Sequence, residues 1–140
     1  MEQSKLNSLK QTTAQVRLDI LEQVHAASSG HPGGSLSIAE IITYLYFEEM
    51  NVDPSNPKME SRDRFVLSKG HTAPALYAVL AEKGFFDKAE LCKLRQVDSF
   101  LQGHPDMKGT PGVDMSTGSL GLGFSTACGM ALAAKIDGKD

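Results

Sequence analysis

Apolar residues recur at every third or fourth position through the first part of the chain. The stripe consists of Leu6, Leu9, Thr13, Val16, Ile20, Val24 and Ala27. This spacing predicts a long amphipathic helix with one apolar face. Residues 28–30, Ser-Ser-Gly, are expected to end it. His25 flanks the stripe and is interpreted as an ordinary helix-surface side chain.

A second helix is predicted after Ser37, because Glu40 follows three residues later in the pattern of a capping box. The positions expected to face inward are Ile38, Ile41, Ile42 and Leu45. Two prolines within residues 51–57 cannot continue a helix, so the helix is expected to end in a loop there.

Residues 64–68, Arg-Phe-Val-Leu-Ser, are short and apolar, and they form the one segment that predicts a β-strand. A third helix is predicted directly after it, over residues 72–83. Thr72 is its expected N-cap, Pro74 lies in its first turn, and Gly84 follows its end. The order of strand and helix favours an α/β architecture.

The remainder of the chain predicts one short helix, a long loop and a final helix. Asp87 and Glu90 suggest a second capping box and a short helix. Residues 98–118 are rich in glycine and proline and predict turns. The final helix is expected over residues 120–136, with its small residues packed tightly against buried neighbours and Gly138 as its stop.

Composition indicates a soluble globular domain spanning residues 1–140. The net charge is −3 and no cluster of lysine or arginine occurs, which argues against nucleic acid and acidic membrane surfaces as partners. The amino terminus lacks the apolar region of a signal peptide. Residues 115–134 are uncharged, but nine of them are Gly, Ser or Thr, which favours a buried helix over a membrane span. Cys92 and Cys128 are expected to be reduced thiols.

Three of the four histidines directly follow a glycine. His31 and His104 each lie in a Gly-His-Pro sequence, and His71 follows the predicted strand. Glycine permits a sharp bend and proline holds the preceding residue extended, so these imidazoles are expected to project from loops. In open α/β sheets, ligands bind beyond the carboxyl ends of the strands, which is where His71 lies.

Four interpretations of these histidines follow from the residues alone. They could be structural side chains bonded to backbone carbonyls, ligands of a zinc site, catalytic groups that transfer protons, or parts of a binding pocket without chemistry. The zinc site lacks support, because the spacing is long and no His-x-x-x-His or Cys-x-x-Cys sequence occurs. The other three interpretations stay open at this level.

A glycine-rich segment precedes the last predicted helix. Gly118, Gly121 and Gly123 would let the backbone approach a ligand closely, and a helix start of this kind can accept a diphosphate. The segment is neither a Walker loop nor a Gly-x-Gly-x-x-Gly sequence. Taken alone, it is a weak indication of a phosphate site.

Taken together, these motifs resemble those of transketolases. "SGHPGGSLS", "SRDRFVLSKGHTAPALY", "LQGHPD" and "TGSLG" occur in this chain in the family's order. The resemblance covers roughly residues 6–138, and it is to the amino-terminal, diphosphate-binding half of transketolase, above all in the form split into two polypeptides. It implies an α/β fold, part of the thiamine diphosphate-binding fold with a parallel sheet flanked by helices, of which this stretch is mostly helical.

The resemblance also implies roles for particular residues. His31 and His104 match catalytic histidines: the first contacts the sugar and helps to move protons, and the second binds hydroxyls at the reacting end of the donor. His71 matches a histidine at the thiamine diphosphate, and the Gly118, Ser119 and Leu120 segment matches the loop along the cofactor's middle. The three Gly-His turns would then converge on one cleft. The implied reaction moves a two-carbon ketol unit between sugar phosphates.

Two departures from the family pattern are visible. Leu122 replaces a usual glutamine, which removes a polar contact, and Ser119 replaces the proline common in single-chain members but matches split members. The Gly-Asp-Gly segment that holds Mg²⁺ in the family is expected outside this chain, so no metal ligands are assigned within it. The half that activates the cofactor is likewise expected to come from elsewhere.

The implied partners are sugar phosphates and a C-terminal transketolase subunit or half, in a homodimer or a heterotetramer. A cytoplasmic location is expected. The alternatives are a sister enzyme, such as a deoxyxylulose-phosphate synthase or a dehydrogenase component, and a non-catalytic remnant or assembly subunit. The two Gly-His-Pro turns favour transketolase over the sister enzymes. Without the remainder of the site, the isolated chain is expected to be inactive.

Overall fold

All regular elements within residues 2–139, the part of the chain that the computed structural model describes, are helical. The α-helices are α1 (Gln3–Ala27), α2 (Pro32–Leu36), α3 (Ala39–Tyr44), α4 (Ala73–Lys83) and α5 (Leu122–Ile136). A π-helical turn at Leu45–Glu49 and 3₁₀ segments at Gly70–Thr72 and Lys88–Lys93 complete them. Two of the connections, residues 50–69 and 94–121, are long and lack regular structure.

The predicted first helix is confirmed as α1. Its end is also as expected, because Ser28 adopts a left-handed conformation with φ of 48° and its N–H donates to the carbonyl of His25. The buried part of its apolar stripe packs with residues of α3 and α4 in one cluster, which contains Val16, Ile20, Ala39, Ala75 and Ala78. α1 thereby covers one side of α4.

The centre of the core is α4, and its prediction is also confirmed. Every residue from Ala73 to Ala81 is buried. Pro74 lies in the first turn and Gly84 ends the helix in a left-handed conformation with φ of 98°. The larger hydrophobic cluster surrounds it with Ile42, Tyr46, Leu67, Leu91, Leu94, Leu101 and Val113. Burial on all sides explains why this helix shows no polar face.

The prediction of a capping box at Ser37 is wrong. An unpredicted helix, α2, begins earlier because Pro32 suits a first helical turn. Ser37 follows that helix, and its hydroxyl donates to the carbonyl of Gly34 at 2.9 Å instead of capping α3. α3 then packs through Ile42, which leaves Ile41 59% exposed, contrary to the expected inward position.

The predicted strand at residues 64–68 is not a β-strand in this structure. The segment lacks a partner strand within residues 2–139, and other groups take up its polar atoms. The N–H of Phe65 donates to the carboxylate of Asp114 at 2.9 Å, and the carbonyl of Leu67 accepts from the hydroxyl of Thr117 at 2.8 Å. The apolar pattern of the segment reflects the burial of Leu67. A β-sheet also requires a second strand to pair with it.

Two smaller predictions around α4 have mixed outcomes. Thr72 precedes α4 as expected, but its hydroxyl donates to the carbonyl of Lys69 at 2.9 Å instead of capping the helix. Asp87 is confirmed as an N-cap, since its carboxylate accepts from the N–H of Ala89 at 2.8 Å. Glu90 does not complete a capping box, because its carboxylate pairs with Lys93.

The prediction that the final helix is tightly packed is wrong for this structure. Only Gly123 of α5 is buried. Its exposed apolar side chains are Leu122, Phe124, Leu132 and Ile136, each more than 60% exposed except Leu132 at 60%. An added Cβ at Gly129 would meet no atom within 4 Å, so this small residue is not tightly packed against a neighbour. Within residues 2–139, no helix is long and apolar enough to cross a membrane.

Candidate active site

Two of the three Gly-His turns meet directly. The rings of His31 and His71 lie edge to face, with their centroids 5.0 Å apart and their planes at 77°. His31 precedes α2 in a bent backbone that Gly30 begins with φ of 149°. His71 lies in the 3₁₀ turn that leads into α4. Residues forty positions apart in sequence therefore share one small polar surface.

The close approach of these loops depends on two glycines. A Cβ added at Gly34, in α2, would lie 2.7 Å from the side chain of Thr72 and 3.8 Å from Nε2 of His71. A Cβ added at Gly70 would lie 2.7 Å from the carbonyl oxygen of Thr117. Any side chain at either position would push the loops apart. The His71 turn is thus held between α2 on one side and residues 117–121 on the other.

The third histidine, His104, is placed by a buried tyrosine. The hydroxyl of Tyr77 lies 2.8 Å from the carbonyl oxygen of Gln102 and 3.1 Å from that of His104, so its one proton is shared between the two acceptors. Tyr77 is fully buried in α4, and burial raises the pKa of its hydroxyl. It therefore stays a neutral hydrogen-bond donor, and it ties the His104 turn to the core.

The glycine-rich loop joins the two histidine regions. The N–H of Thr117 donates to the carbonyl of Pro105 at 3.3 Å, and its hydroxyl donates to the carbonyl of Leu67. A Cβ added at the next residue, Gly118, would lie 3.9 Å from Cδ2 of His104. The loop thus borders His104 at one point and, through Gly70, the His71 turn at another. Residues 118–120 themselves are exposed.

The start of α5 is anchored beside this loop. The N–H of Phe124 donates to the hydroxyl of Ser68 at 3.1 Å, and the N–H of Gly121 donates to the carbonyl of the same residue at 3.3 Å. Gly121 has a φ of 93°, which suits glycine. Leu122 is 63% exposed and brings an apolar side chain to this helix start.

Sequence reasoning missed two residues that form hydrogen bonds to the segments beside the histidines. Tyr77 lies within an apolar run and gives no signal of a polar role. Lys69 stands two residues before His71, and its ammonium donates to the carbonyl of Gly34 at 2.6 Å and to the hydroxyl of Ser37 at 3.1 Å. The only sequence signal for Lys69 is its position in Lys-Gly-His, a pattern that by itself points to the histidine.

The surface formed by the Gly-His turns and the glycine-rich loop is polar and open to solvent. His31, His104 and residues 118–120 are exposed, and His71 is half-buried. Imidazole nitrogens and free backbone groups can hold hydroxyls and an anionic ligand. Within residues 2–139, no group of three or more His, Cys, Asp or Glu side chains is arranged to hold a metal ion. The arrangement offers hydrogen-bonding and proton-transfer groups.

Comparison with known families gives a match over most of the chain. The model of the family described as "Transketolase, thiamine diphosphate binding domain" matches residues 8–138. A 6-deoxy-6-sulfo-D-fructose transketolase subunit from a Clostridium strain is 52% identical over 122 residues, covering 87% of this chain and 44% of that protein. Human transketolase is 48% identical over 134 residues, covering 96% of this chain and 21% of that protein.

Solved structures agree with the sequence comparison. The crystal structure of Pichia stipitis transketolase in complex with sedoheptulose-7-phosphate superposes with a TM-score of 0.86 and 38% identity. The match covers 89% of this chain and 18% of that one. The expected fold class is confirmed: the described helices form part of an α/β thiamine diphosphate-binding fold. The chain spans less than half the length of these relatives.

Proposed function

The chain belongs to the family of transketolase N-terminal, thiamine diphosphate-binding domains, and on that premise we propose that it supplies part of a transketolase active site. The proposed reaction transfers a two-carbon ketol unit between a ketose phosphate and an aldose phosphate. The observation that carries the proposal is the meeting of His31 and His71 at 5.0 Å. His104 lies against the glycine-rich loop, whose Thr117 contacts the His71 turn at Gly70. The alternative of a non-catalytic remnant is not favoured.

The proposed roles of the histidines follow from their positions. His31 and His104 are exposed imidazoles on turns that glycine and proline hold in place, so their nitrogens are free to meet sugar hydroxyls. A neutral imidazole carries one donor and one acceptor nitrogen. His104 would hold the hydroxyls at the reacting end of the ketose. His31 would accept and return the proton of a sugar hydroxyl during the transfer.

The residues fit part of a thiamine diphosphate site. Gly118 presents an open backbone beside His104, because an added side chain there would meet only that ring. Ser119 and Leu120 continue this exposed strip and would border the cofactor's middle, while His71 would bind near its phosphates. When bound, the cofactor supplies the nucleophilic carbon that the carbon–carbon bond cleavage requires. The chain's own residues bind, orient and exchange protons.

The proposed site needs groups from outside this chain. A diphosphate is expected to be neutralised by Mg²⁺, which takes carboxylate and carbonyl oxygens in octahedral geometry. We assign those ligands to residues beyond this stretch, which agrees with the greater length of the relatives.

A partner polypeptide is also proposed. Two relatives are named as subunits of larger enzymes: the Clostridium protein already described, and one from the apulose-4-phosphate transketolase of Phocaeicola vulgatus, which is 43% identical over 136 residues. By analogy with them, the half that activates the cofactor would come from a second polypeptide or from a further part of the same one. The cytoplasmic location and the oligomeric state stay predictions.

Single substitutions in the complete enzyme test the proposal. His31→Ala and His104→Ala should each lower kcat/KM for ketol transfer on the order of 10²-fold or more, because each removes a group that contacts the sugar or moves a proton. His25→Ala is the matched control, since this exposed histidine lies on α1 and should leave activity unchanged. Full activity of both His31→Ala and His104→Ala would contradict the proposed site.

A further inference from the structure

One cation beside the histidine pair is bonded in an unusual way. The ammonium of Lys69 donates to the carbonyl of Gly34 and the hydroxyl of Ser37, and it makes no ion pair with a carboxylate within residues 2–139. The hydroxyl of Ser37 donates to the same carbonyl at 2.9 Å. The three groups therefore form a closed triangle of hydrogen bonds that spans residues 34–69. Partial burial lowers the pKa of Lys69.

This triangle links the two turns that carry the paired imidazoles. Lys69 is the residue before the 3₁₀ turn that contains His71. Gly34 lies in α2, one turn after His31, and the site of its missing Cβ is 3.8 Å from Nε2 of His71. A hydrogen bond of 2.6 Å from a charged donor is a strong restraint on the distance between these segments.

We propose that Lys69 is a positioning residue that ties α2 to the His71 turn and thereby holds His31 against His71. The edge-to-face contact at 5.0 Å has no direct covalent or hydrogen-bonded support between the two rings themselves. The packing of Gly34 on Thr72 permits the approach, and the Lys69 ammonium fixes it. The inference about geometry needs only this chain, and its consequence for catalysis rests on the proposed function.

Four substitutions separate a positioning role of Lys69 from an effect on overall stability. Lys69→Met keeps much of the apolar stem but removes all three donors, so the carbonyl of Gly34 loses its charged donor and keeps that of the Ser37 hydroxyl. Lys69→Arg keeps a charged donor. Ser37→Ala removes one corner of the triangle and leaves the 2.6 Å bond in place. Lys10→Met is the matched control, since Lys10 is exposed on α1 and away from this triangle.

Nuclear Overhauser effects between the ring protons of His31 and His71 measure the contact directly in the histidine-labelled chain. The effect should be present in the wild type, Lys10→Met and Lys69→Arg, weakened in Ser37→Ala and lost in Lys69→Met. An unchanged effect in Lys69→Met would overturn the proposal, and so would its loss in Lys10→Met. If Lys69→Met fails to fold, the spectra of Ser37→Ala and Lys69→Arg decide. The proposal is overturned if the Overhauser effect is not weakened in Ser37→Ala, or if it is lost in Lys69→Arg.

Kinetics of the complete enzyme test the consequence for catalysis. Lys69→Met should lower kcat on the order of tenfold to a hundredfold, because a misplacement of about 1 Å costs that much, and change KM for the ketose less. Lys69→Arg should restore most of kcat. A fall in stability alone would not be rescued in kcat by arginine at saturating substrate. If the wild-type enzyme lacks ketol transfer, the proposed function fails, while the ring contact still decides the role of Lys69.

Discussion

The helices α4 and α5 are both rich in alanine and leucine, and both follow a glycine-containing turn of the proposed site, yet their surroundings differ completely. Every residue of α4 from Ala73 to Ala81 is buried, whereas only Gly123 of α5 is buried. α4 has α1, α3 and the loop residues 91–113 around it. α5 is anchored at its start by Ser68 and leaves Phe124 71% exposed.

The difference lies in what covers each helix. Residues of this chain bury α4 on all sides, whereas they leave α5 largely exposed. The α5 side borders a cavity of about 500 Å³ against residues 60–64, lined by Met130 and Ala134 on the helix. Elsewhere on α5, Phe124 and Ile136 are more than 70% exposed, and exposed apolar side chains of this kind are typical of a surface that contacts another protein segment. An apolar sequence therefore predicts that a helix will be buried, but not which chain buries it.

The largest expected effect is a difference in the free energy of unfolding between truncations in α4 and in α5. Leu76→Ala in α4 should lower the free energy of unfolding by about 2–5 kcal/mol, because a fully enclosed side chain leaves a cavity. Leu132→Ala in α5 should change it by less than about 0.5 kcal/mol, since that side chain is 60% exposed. Urea unfolding of the two variants checks the contrast. Equal losses would mean that α5 is packed in solution.

A second prediction compares two glycines of α5, Gly123 and Gly129. A Cβ at Gly123 would lie 2.7 Å from Cα of Ser68, so Gly123→Ala should destabilise the chain by about 1–3 kcal/mol. Gly129→Ala, with open space around it, should stabilise it by up to about 1 kcal/mol through helix propensity. Thermal unfolding distinguishes the pair. If Gly129→Ala lowered the stability instead, α5 would be packed tightly, as the sequence predicted.

The smallest expected effect is a pH dependence of stability that arises from Asp19, a buried residue of α1. Burial raises the pKa of Asp19 from 3.8 to about 6; Gln15 opposes the shift, and the neighbouring carboxyl of Glu82 adds to it. The folded state holds this proton more tightly than the unfolded state, so the contribution to stability is full below pH 3.8 and is lost as pH rises through 6. Lys88, which pairs with Glu82, limits the loss.

Asp19→Asn should remove this pH dependence. At pH 7.5 the variant should be more stable than the wild type by on the order of 1 kcal/mol, and the gap should close towards pH 4. Urea unfolding across this range gives the comparison, with Glu22→Gln on the exposed face of α1 as control. A gap that widens towards acid pH would show that the carboxylate is stabilised in the folded state.

The sequence predicted what depends on local pattern and missed what depends on distant neighbours. α1 and α4 were predictable because their periodicity, Pro74 and Gly84 act locally. The strand at residues 64–68 was misjudged because a strand needs a partner that no local pattern reveals. α2 was missed because Pro-Gly-Gly usually breaks a helix, although Pro32 suits a helix start.

The same limit applies to the site. The Gly-His-Pro turns singled out His31 and His104, and the Gly-His turn singled out His71. Spacing alone could not give the 5.0 Å ring contact, which depends on Gly34 packing against Thr72. The fixing role proposed for Lys69 likewise becomes visible only when the carbonyl of Gly34 is seen within 2.6 Å.

We infer that this chain carries part of a thiamine diphosphate site and that the remaining groups come from outside it. Titration calorimetry with thiamine diphosphate and Mg²⁺ tests it most directly, on the isolated chain and on the complete enzyme. The chain alone should show no micromolar binding. The complete enzyme should bind the cofactor, and His71→Ala should weaken that binding while His25→Ala leaves it unchanged. Micromolar binding by the 140 residues alone, about −8 kcal/mol, would contradict it.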